Sequence, residues 1–382
     1  MTPNPRCLLA ISALGCLAFL AVAAAEKKPL IITASPSIFD TGDCNPLHSA
    51  ISRDGKFVAY VPSPKGLIEW RLHLCDFATK KVLHRLDTWV QGAAFTPDST
   101  RLLCDSTRKD RKDGDGSPYQ IEVFDVKSGK RLRTIRLKTG QPWGGGGWDG
   151  SPRCAHNDDI VVVAGKNEFA TVYDLKTGKA LGDLPSNNRA FFLALSRDGR
   201  WLVTADQKNG IVHTWDVKAR KHDRKLYEHI GFVESVAISP DGRWCAFGTR
   251  RGVKVFDRTT GGEKTEGRIG LAWADAIAFS PDGKRIVASH PYRMPSPDQV
   301  DFGLRIWDWQ TERPPSTVVC PVTPKMLEAW RHMGRFHARL MSDDGNRFLS
   351  VGGEGGHLLL DLKNPNPKPV GEPDEDPMPK KP

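Results

Sequence analysis

Short apolar runs separated by turn residues repeat along most of the chain, and the clearest copy is the segment 232–257. It contains apolar runs at 232–238 and 244–247, followed by an alternating run that ends at Asp257. The sequence S-P-D-G at 239–242 stands between the first two runs and consists of favoured turn residues. Runs this short, rich in Val, Ile, Phe and Trp, predict antiparallel strands joined by hairpins. A further turn after Asp257 predicts a weaker fourth strand.

Two landmarks of this copy recur in the same order along the chain. The turn between the first two strands recurs, in one degenerate case as HNDD, at Ser52, Thr96, His156, Ser196, Ser239, Ser280 and Ser342. An aspartate ends the third strand at Asp76, Asp125, Asp174, Asp216, Asp257, Asp308 and Asp361. Successive aspartates are 49, 49, 42, 41, 51 and 53 residues apart. This period, with four strands per copy, predicts an all-β fold: a seven-bladed β-propeller with four antiparallel strands per blade.

The repeats resemble the WD40-repeat family. The resemblance is carried by Trp215-Asp216, by Trp307-Asp308, by the S-P-D-G turns and by the Gly-Lys pairs in KSGK and KTGK. Glu228-His229 stands where that family usually has Gly-His. Five of the seven copies lack the tryptophan, and Arg250-Arg251-Gly252 replaces a turn aspartate of the family. The resemblance covers roughly residues 30–363 and implies a WD40-like propeller with looser internal hydrogen-bond networks.

Both ends of the chain differ in composition from the repeats. Residues 1–25 combine the single charge of Arg6, an apolar stretch and three alanines, which predicts a secretory signal peptide cut after Ala25. A lipid anchor at Cys16 and an uncleaved anchor remain alternatives. The propeller is expected at 26–363, and the tail at 364–382 is rich in Pro, Glu, Asp and Lys, which predicts disorder. We therefore expect a secreted or periplasmic protein without a membrane span after signal removal.

Closure of the ring requires a fourth strand in the last blade. Only two residues follow Asp361 before the proline-rich tail, whereas the apolar segment Pro29–Ala34 precedes the first blade without a hairpin partner. Pairing of Pro29–Ala34 as the outer strand of the last blade would remove the exposed edge. The sequence therefore predicts that an N-terminal strand closes the last blade.

The long loops are all predicted to lie on one face. Alternating strand direction places the S-P-D-G turns on one face and the second-to-third-strand turns and interblade links on the other. The longest departures, at 107–118, 138–150, 291–302 and 321–335, fall on the second face. Because variable loops on a regular scaffold often carry function, we predict a ligand- or partner-binding site there. Its residues are Arg108, Lys109, Trp143, Trp148, Arg250, Arg251, Tyr292, Arg293 and Trp330.

Charge and metal-ligand patterns narrow the function. The net charge is +10, but the one dense basic cluster, at 108–112, is interrupted by an aspartate, which does not favour nucleic-acid binding. The His332 and His337 pair and the acidic residues of 110–115 do not complete a metal-site pattern, so no metal is predicted.

The cysteines fall into two groups. Cys104 and Cys245 lie in apolar strands, as small buried thiols do. The cysteines in irregular segments, and so the candidates for a disulfide, are Cys44 and Cys320.

The repeats suggest a scaffold and leave one enzymatic alternative. The turn serines and aspartates are explained by turn hydrogen bonds, and no catalytic residue is predicted. We expect a non-catalytic, monomeric scaffold that binds protein partners without a cofactor. The alternative is a lactonase-like hydrolase or a dehydrogenase that uses the central channel. Convergent histidines and carboxylates in the channel would favour that enzyme, whereas small apolar side chains would favour the scaffold. The recurrent first-strand alanines favour the scaffold: Ala50, Ala94, Ala194, Ala237 and Ala278.

Overall fold

The fold is given by a computed structural model. It describes residues 31–33, 37–39, 50–61, 71–79, 81–88, 90–107, 119–138, 154–164, 169–185, 192–206, 209–227, 233–249, 252–264, 274, 277–293, 300–311, 316–320, 337–341, 347–351 and 357–361. All regular secondary structure in these ranges is β-strand. Within them, no helix has the length and apolarity needed to cross a membrane.

The strands are short, as the apolar runs predict. In chain order they are β1 (Ile31–Thr33), β2 (Ser37–Phe39), β3 (Ala50–Ile51), β4 (Phe57–Tyr60), β5 (Leu72–Asp76), β6 (Val82–Leu86), β7 (Val90–Phe95), β8 (Arg101–Thr107), β9 (Tyr119–Asp125), β10 (Arg131–Arg136), β11 (Cys154–His156), β12 (Ile160–Ala164), β13 (Phe169–Asp174), β14 (Ala180–Pro185), β15 (Phe192–Leu195), β16 (Trp201–Ala205), β17 (Val212–Asp216), β18 (Lys221–Tyr227), β19 (Val233–Ile238), β20 (Trp244–Thr249), β21 (Gly252–Asp257), β22 (Ile277–Phe279), β23 (Ile286–Arg293), β24 (Val300–Trp307), β25 (Ser316–Cys320), β26 (His337–Met341), β27 (Arg347–Val351) and β28 (His357–Asp361).

These strands form seven sheets within the described ranges. Sheets 1 to 4 consist of β3–β6, β7–β10, β11–β14 and β15–β18, each paired in sequence order. Sheet 5 consists of β19–β21, sheet 6 of β22–β25 with β1, and sheet 7 of β26–β28 with β2. Each sheet contains one of the repeated landmarks, and its third strand ends at the predicted aspartate or one residue before it. The prediction of an all-β fold built from antiparallel repeats is confirmed.

The N-terminal segment pairs differently from the prediction. β1 lies parallel to β25, with Ile31 opposite Thr317, so Pro29–Ala34 does not supply the outer strand of sheet 7. That position belongs to β2, where Ile38 lies opposite Leu358 of β28. Both β25 and β28 end a sheet, and an open strand edge accepts any short extended segment. Two such segments only three residues apart therefore reach two different sheets.

Three local expectations are corrected by the strand bounds. The loop predicted at 291–302 is partly a hairpin, because β23 and β24 stay in register as far as Arg293 and Val300. Its prolines suggest a loop, but the flanking Tyr and Val residues favour strand pairing. Cys320 lies in β25 opposite Phe302 and not in an irregular segment. Sheet 5 shows, among its described residues, a single bridge from Phe256 to Glu263 in place of a fourth strand.

Buried apolar side chains lie between successive sheets. Leu72 and Leu74 of sheet 1 pack in one cluster with Leu102 and Cys104 of sheet 2. Comparable clusters join sheets 2 and 3, 3 and 4, 4 and 5, and 5 and 6. Sheet-on-sheet packing of this kind buries the inner faces of both partners. The thiols of Cys104 and Cys245 are fully buried, as predicted.

Outer-strand side chains of sheets 1 and 2 connect each of these sheets to the next one. Arg133 Nη1 donates to the Thr177 carbonyl at 3.0 Å, and the Arg133 side chain lies over Gly178. Gly178 has a φ of +74°, and a Cβ there would lie 2.9 Å from Arg133. His84 lies over Gly129 of sheet 2 in the same way. A glycine in this turn is thus required both by its backbone conformation and by the neighbouring sheet.

In sheets 1 to 5 the aspartate at the end of the third strand stabilises the turn after it, as predicted. Asp257 shows this most fully: its Oδ1 accepts from Thr259 N at 2.8 Å and from Thr259 Oγ1 at 2.6 Å. Its Oδ2 accepts from Arg243 Nη2 at 2.8 Å. Burial would raise the pKa of Asp257, but the bonds from Thr259 and Arg243 lower it to about 2. The ionised carboxylate is therefore part of the folded structure.

We expect removal of β2 to destabilise the protein more than removal of β1. A chain that starts at residue 35 loses β1, and one that starts at residue 41 also loses β2 and exposes the edge of β28. The melting temperature should fall by about 5 °C or more between the two truncations. Differential scanning calorimetry measures it. Equal melting temperatures would contradict the pairing of β2 with β28.

We expect Asp257→Asn to lose stability at neutral pH and to lose less in acid. The pKa of Asp257 is depressed in the folded state, so its contribution is complete above about pH 4 and disappears as the pH falls through about 2. At pH 7 the variant should be less stable by about 1–2 kcal/mol, since the arginine partner is half exposed to solvent. Thermal melts at pH 7, 4, 3 and 2 measure the difference from wild type.

The control for this experiment is Asp87→Asn, because the Asp87 side chain is 83% exposed. It should match wild type at every pH. A deficit of Asp257→Asn that stays the same at pH 2 and pH 7 would show that the ionised form of Asp257 does not matter.

Candidate functional site

A cavity of about 330 Å³ lies where the first strands of six sheets converge. The strands β3, β7, β11, β15, β19 and β22 each contribute residues to its wall. Successive first strands also contact each other, including β11 with β15, β15 with β19 and β19 with β22. The cavity is therefore the central channel expected from the repeats.

The wall of the channel is small and apolar. Its strand residues, apart from one histidine, are Ala50, Ile51, Ala93, Ala94, Phe95, Cys154, Ala155, Leu193, Ala194, Leu195, Val236, Ala237, Ile238, Ile277, Ala278 and Phe279. All five predicted alanines line it. No acidic residue is among the described residues that line the cavity. The channel thus has the composition that favours a scaffold over a channel enzyme.

The turns after the first strands form one mouth of the channel. In sheet 1, Ser52 Oγ donates to Asp54 Oδ1 at 2.6 Å and accepts from Phe57 N at 2.9 Å. Asp54 Oδ1 also accepts from Lys56 N at 3.1 Å. Both side chains thus bond within the turn, and the residue between them, Arg53, lines the cavity. The corresponding residues of the other turns at this mouth are Pro97, Arg197, Pro240 and Pro281.

These turns confirm the structural role predicted for their serines. The hydroxyl–carboxylate bond recurs at 2.5 Å from Ser196 to Asp198 and from Ser280 to Asp282. A serine whose hydroxyl donates to the turn aspartate and accepts a backbone N–H holds the turn together. The turn serines are therefore turn-forming residues.

One histidine faces the channel. His156 ends β11, and burial lowers its pKa to about 4, with a further contribution from the positive charge of Arg53. Its Nδ1 is buried and has no hydrogen-bond partner among the described residues. A general acid or base works best with a pKa near the working pH. His156 is neutral at pH 7, and its ring offers a hydrogen-bonding nitrogen instead of a proton shuttle.

The chain was compared with known families and proteins. The WD40 family model (WD domain, G-beta repeat) matches residues 220–257, which include β18 to β21. Lst8 homolog protein of Drosophila melanogaster is 40% identical over 50 residues, 13% of this chain and 16% of the relative. The small ribosomal subunit protein RACK1z of Arabidopsis thaliana is 30% identical over 87 residues, 23% of this chain and 24% of the relative. These matches support a WD40-repeat β-propeller for this chain, which is similar to WD-repeat proteins over part of its length.

Two further proteins are similar to this chain over longer stretches. An uncharacterized WD repeat-containing protein of Synechocystis is 29% identical over 131 residues, 33% of this chain and 37% of the relative. A chain in the crystal structure of a mitotic checkpoint complex has a TM-score of 0.59 at 16% identity, covering 86% of this chain and 93% of that one. The matched region spans less than two thirds of each curated relative, between 16% and 37% of its length. The solved structure supports the propeller fold over most of this chain.

Most of the residues predicted to form the binding face are not among the described residues. Those outside the described residues are Arg108, Lys109, Trp143, Trp148, Arg250, Arg251 and Trp330. Tyr292 and Arg293 lie in β23, opposite Asp301 and Val300. The hairpin of β8 and β9, with Thr107 opposite Tyr119, ends at the same second-to-third-strand side of its WD40 sheet as β23 and β24. The structure therefore brings the bases of two of the four predicted loops to equivalent ends of sheets 2 and 6.

Sequence reasoning did not identify the residues at the mouth of the channel that the turns after the first strands form. These are Arg53, Arg197 and His156. A signal was present: two turns read S-R-D-G where three others carry proline, and the degenerate copy begins with histidine. The turns look structural in sequence because their other residues are, and only the ring shows that the second turn position points to the channel.

We expect the low pKa of His156 to appear as a loss of stability in mild acid. The unfolded chain binds a proton at this histidine near pH 6.5, and the folded chain does so only near pH 4. Stability linked to neutral His156 is complete above about pH 6.5 and is lost as the pH falls towards 4. Urea unfolding at pH 7 and pH 4.5 should show a smaller drop in His156→Gln than in wild type.

An independent measurement accompanies this prediction. In the NMR spectrum of the wild type, the His156 ring signal, assigned as the one lost in His156→Gln, should titrate near pH 4. A midpoint near pH 6.5 would mean that the ring is solvated, and the assignment of a neutral channel histidine would be wrong.

Proposed function

We propose that this WD40 propeller is an exported, non-catalytic scaffold that binds protein partners through its long-loop face. This is the face predicted to carry the loops at 107–118, 138–150, 291–302 and 321–335. The observation that supports this most directly is the channel wall, where alanines and aliphatic side chains stand in place of convergent acids and bases. A channel hydrolase or dehydrogenase has less support, since His156, the histidine among the described channel residues, has a pKa of about 4. WD40 propellers typically mediate protein interactions, which fits this function.

Relatives offer parallel support for a role in assemblies. RACK1z is named as a small ribosomal subunit protein, and the similar solved chain belongs to a mitotic checkpoint complex. Both names describe multi-component assemblies. We infer for this chain a protein partner of its own, bound by a monomeric propeller. The exported state rests on the leader at 1–25, with cleavage after Ala25 and a secreted or periplasmic destination.

We further propose that the ring has seven blades and is closed by β2. The seven sheets of the described ranges match the seven repeats, and β2 takes the fourth position of sheet 7. A closed ring would hold the loops of sheets 2 and 6 at fixed positions on one face. Rigid placement lowers the entropy lost when a partner binds.

We expect the triple variant Trp143→Ala, Trp148→Ala, Trp330→Ala to lose a protein partner. Tryptophans are frequent anchors of protein interfaces, and truncation of an anchor at the centre of an interface removes about 2 kcal/mol or more of binding free energy, which is about 30-fold in affinity. The measurement is affinity capture from the native compartment with quantitative mass spectrometry, followed by titration of the purified partner against wild type and variant.

The matched control changes the opposite face, which carries the turns after the first strands and is here called the turn face. Lys56→Ala with Lys284→Ala alters two exposed residues of the turn face and should leave capture unchanged. Both variants must keep the melting temperature of the wild type. Retention of the partner by the triple variant would place the binding site elsewhere, and loss in the turn-face variant would reverse the assignment of the face.

A further inference from the structure

Two histidines meet on the outer strands of sheet 4. His213 lies on β17 and His222 on β18, and Nδ1 of His213 is 2.9 Å from Nε2 of His222. His222 lies opposite Trp215, which is two residues from His213, so the three side chains share one face of the sheet. The register shifts directly before this pair, where Asp223 is an extra residue of β18. Without that bulge, Asp223 would lie opposite Trp215 in place of His222.

The same two positions hold opposite charges in two other sheets. They are the third residue before the strand-ending aspartate and the sixth residue after it. In sheet 2 they hold Glu122 and Arg131, whose carboxylate and guanidinium are 2.9 Å apart. In sheet 5 they hold Lys254 and Glu263, also 2.9 Å apart. The backbone of the repeat therefore brings these two side chains together, and in sheet 4 it brings together two imidazoles in place of an ion pair.

Trp215 holds the orientation of both imidazole rings. Its side chain is buried, and its Nε1 donates to Thr204 Oγ1 at 2.9 Å. Its ring centroid lies 4.9 Å from that of His222, edge to face, and 5.9 Å from that of His213. Edge-to-face contacts between rings are favourable. The two ring nitrogens are therefore preorganised, which lowers the entropy lost when a ligand joins them.

We propose that His213 and His222 form a copper site, in which His213 Nδ1 and His222 Nε2 are the two protein ligands of a Cu²⁺ ion. Among the described residues, no set of three or more His, Cys, Asp or Glu side chains is placed to hold a metal, so water completes the coordination of this two-ligand site. The site lies on the third and fourth strands of sheet 4, away from the channel that the first strands line. It does not depend on the proposed partner-binding face.

The ligands and their spacing favour copper. Imidazole suits Cu²⁺, Ni²⁺ and Zn²⁺, whereas Ca²⁺ and Mg²⁺ take oxygen ligands. Cu²⁺ forms the most stable complexes of the divalent series and prefers a square-planar arrangement. Two nitrogens about 2.0 Å from a metal are about 2.8 Å apart at adjacent corners of a square and about 3.3 Å apart in a tetrahedron. The ring nitrogens of His213 and His222 are 2.9 Å apart, which matches the square.

Copper replaces the hydrogen bond between the two rings. In the neutral pair one ring donates its N–H and the other accepts it. On binding, the donor ring loses the proton from its inner nitrogen and gains one on its outer nitrogen through solvent, so both inner lone pairs face the metal. No net proton is released, and the copper stays divalent. Lys225 lies opposite His213 and lowers the affinity for every cation, which favours the metal with the strongest bond to imidazole.

The test is isothermal titration calorimetry of the full chain with Cu²⁺, together with electron paramagnetic resonance of the complex. The affinity of the tightest site should fall at least about tenfold in His213→Gln and in His222→Gln, because each variant loses one arm of the chelate. The resonance of wild type should show coupling to two nitrogens, and that of each variant coupling to one.

The matched control is His73→Gln. His73 occupies the position on β5 that His213 occupies on β17, but Val82 stands where sheet 4 has His222. This variant should bind Cu²⁺ like wild type. Because His222 is exposed, His222→Gln should keep the melting temperature of the wild type, and a loss of copper in that variant is then not a loss of fold.

Each other outcome overturns the proposal. Absence of Cu²⁺ binding at about 1 mM removes the site. Equal Cu²⁺ affinity in wild type and both histidine variants places the copper elsewhere on the chain. Zn²⁺ bound more tightly than Cu²⁺ would contradict the square geometry, and displacement of Cu²⁺ by an equal concentration of Ca²⁺ would show oxygen ligands in place of imidazole.

Discussion

A hydroxyl–carboxylate hydrogen bond in the turn after the first strand of five sheets fixes the geometry on which the channel depends. In sheets 1, 2, 4, 5 and 6 a Ser or Thr hydroxyl donates to the aspartate two residues later at 2.5–2.6 Å. In sheet 3 the amide of Asn157 replaces the pair, since its Oδ1 accepts two backbone N–H groups at 2.9 Å. The turn sets the register of the first two strands, and this register decides which side chains face the channel.

The periodic pattern of the sequence predicts most of the fold. The turn at Ser239 and the strand end at Asp257 are local signals, because both depend on hydrogen bonds within a few residues, and their copies locate all seven sheets. Strand pairing at the N-terminus is not local. Ile31–Thr33 and Ser37–Phe39 are similar short segments, and their partners, β25 and β28, lie about 290 and about 320 residues away in sequence. No pattern within either segment distinguishes the edge of sheet 6 from that of sheet 7.

The candidate site at the channel mouth shows a second limit of sequence reasoning. Arg53 stands between Ser52 and Asp54, in a motif whose neighbours on both sides are turn-forming. The residue types alone describe a solvated arginine in a surface turn. Its position at a shared opening follows only from the convergence of several first strands, which brings Arg53 near His156, about 100 residues later in the chain. The apolar wall, in contrast, was predicted correctly, since alanine recurs at the same place in successive repeats.

The channel wall is apolar and the mouth of the channel carries charge, and this difference has one electrostatic cause. A charge placed inside a narrow apolar channel loses its hydration, which costs several kcal/mol unless a partner compensates for it. His156 illustrates this cost, because burial keeps its ring neutral down to about pH 4. At the turns the same cost is small: Arg197 is exposed, so its guanidinium remains hydrated while it lines the opening. A propeller with a small apolar channel is therefore able to carry charge towards that channel only at its mouths. The second position of the turn is where this chain does so, since the serine and aspartate on either side of it are already committed to holding the turn.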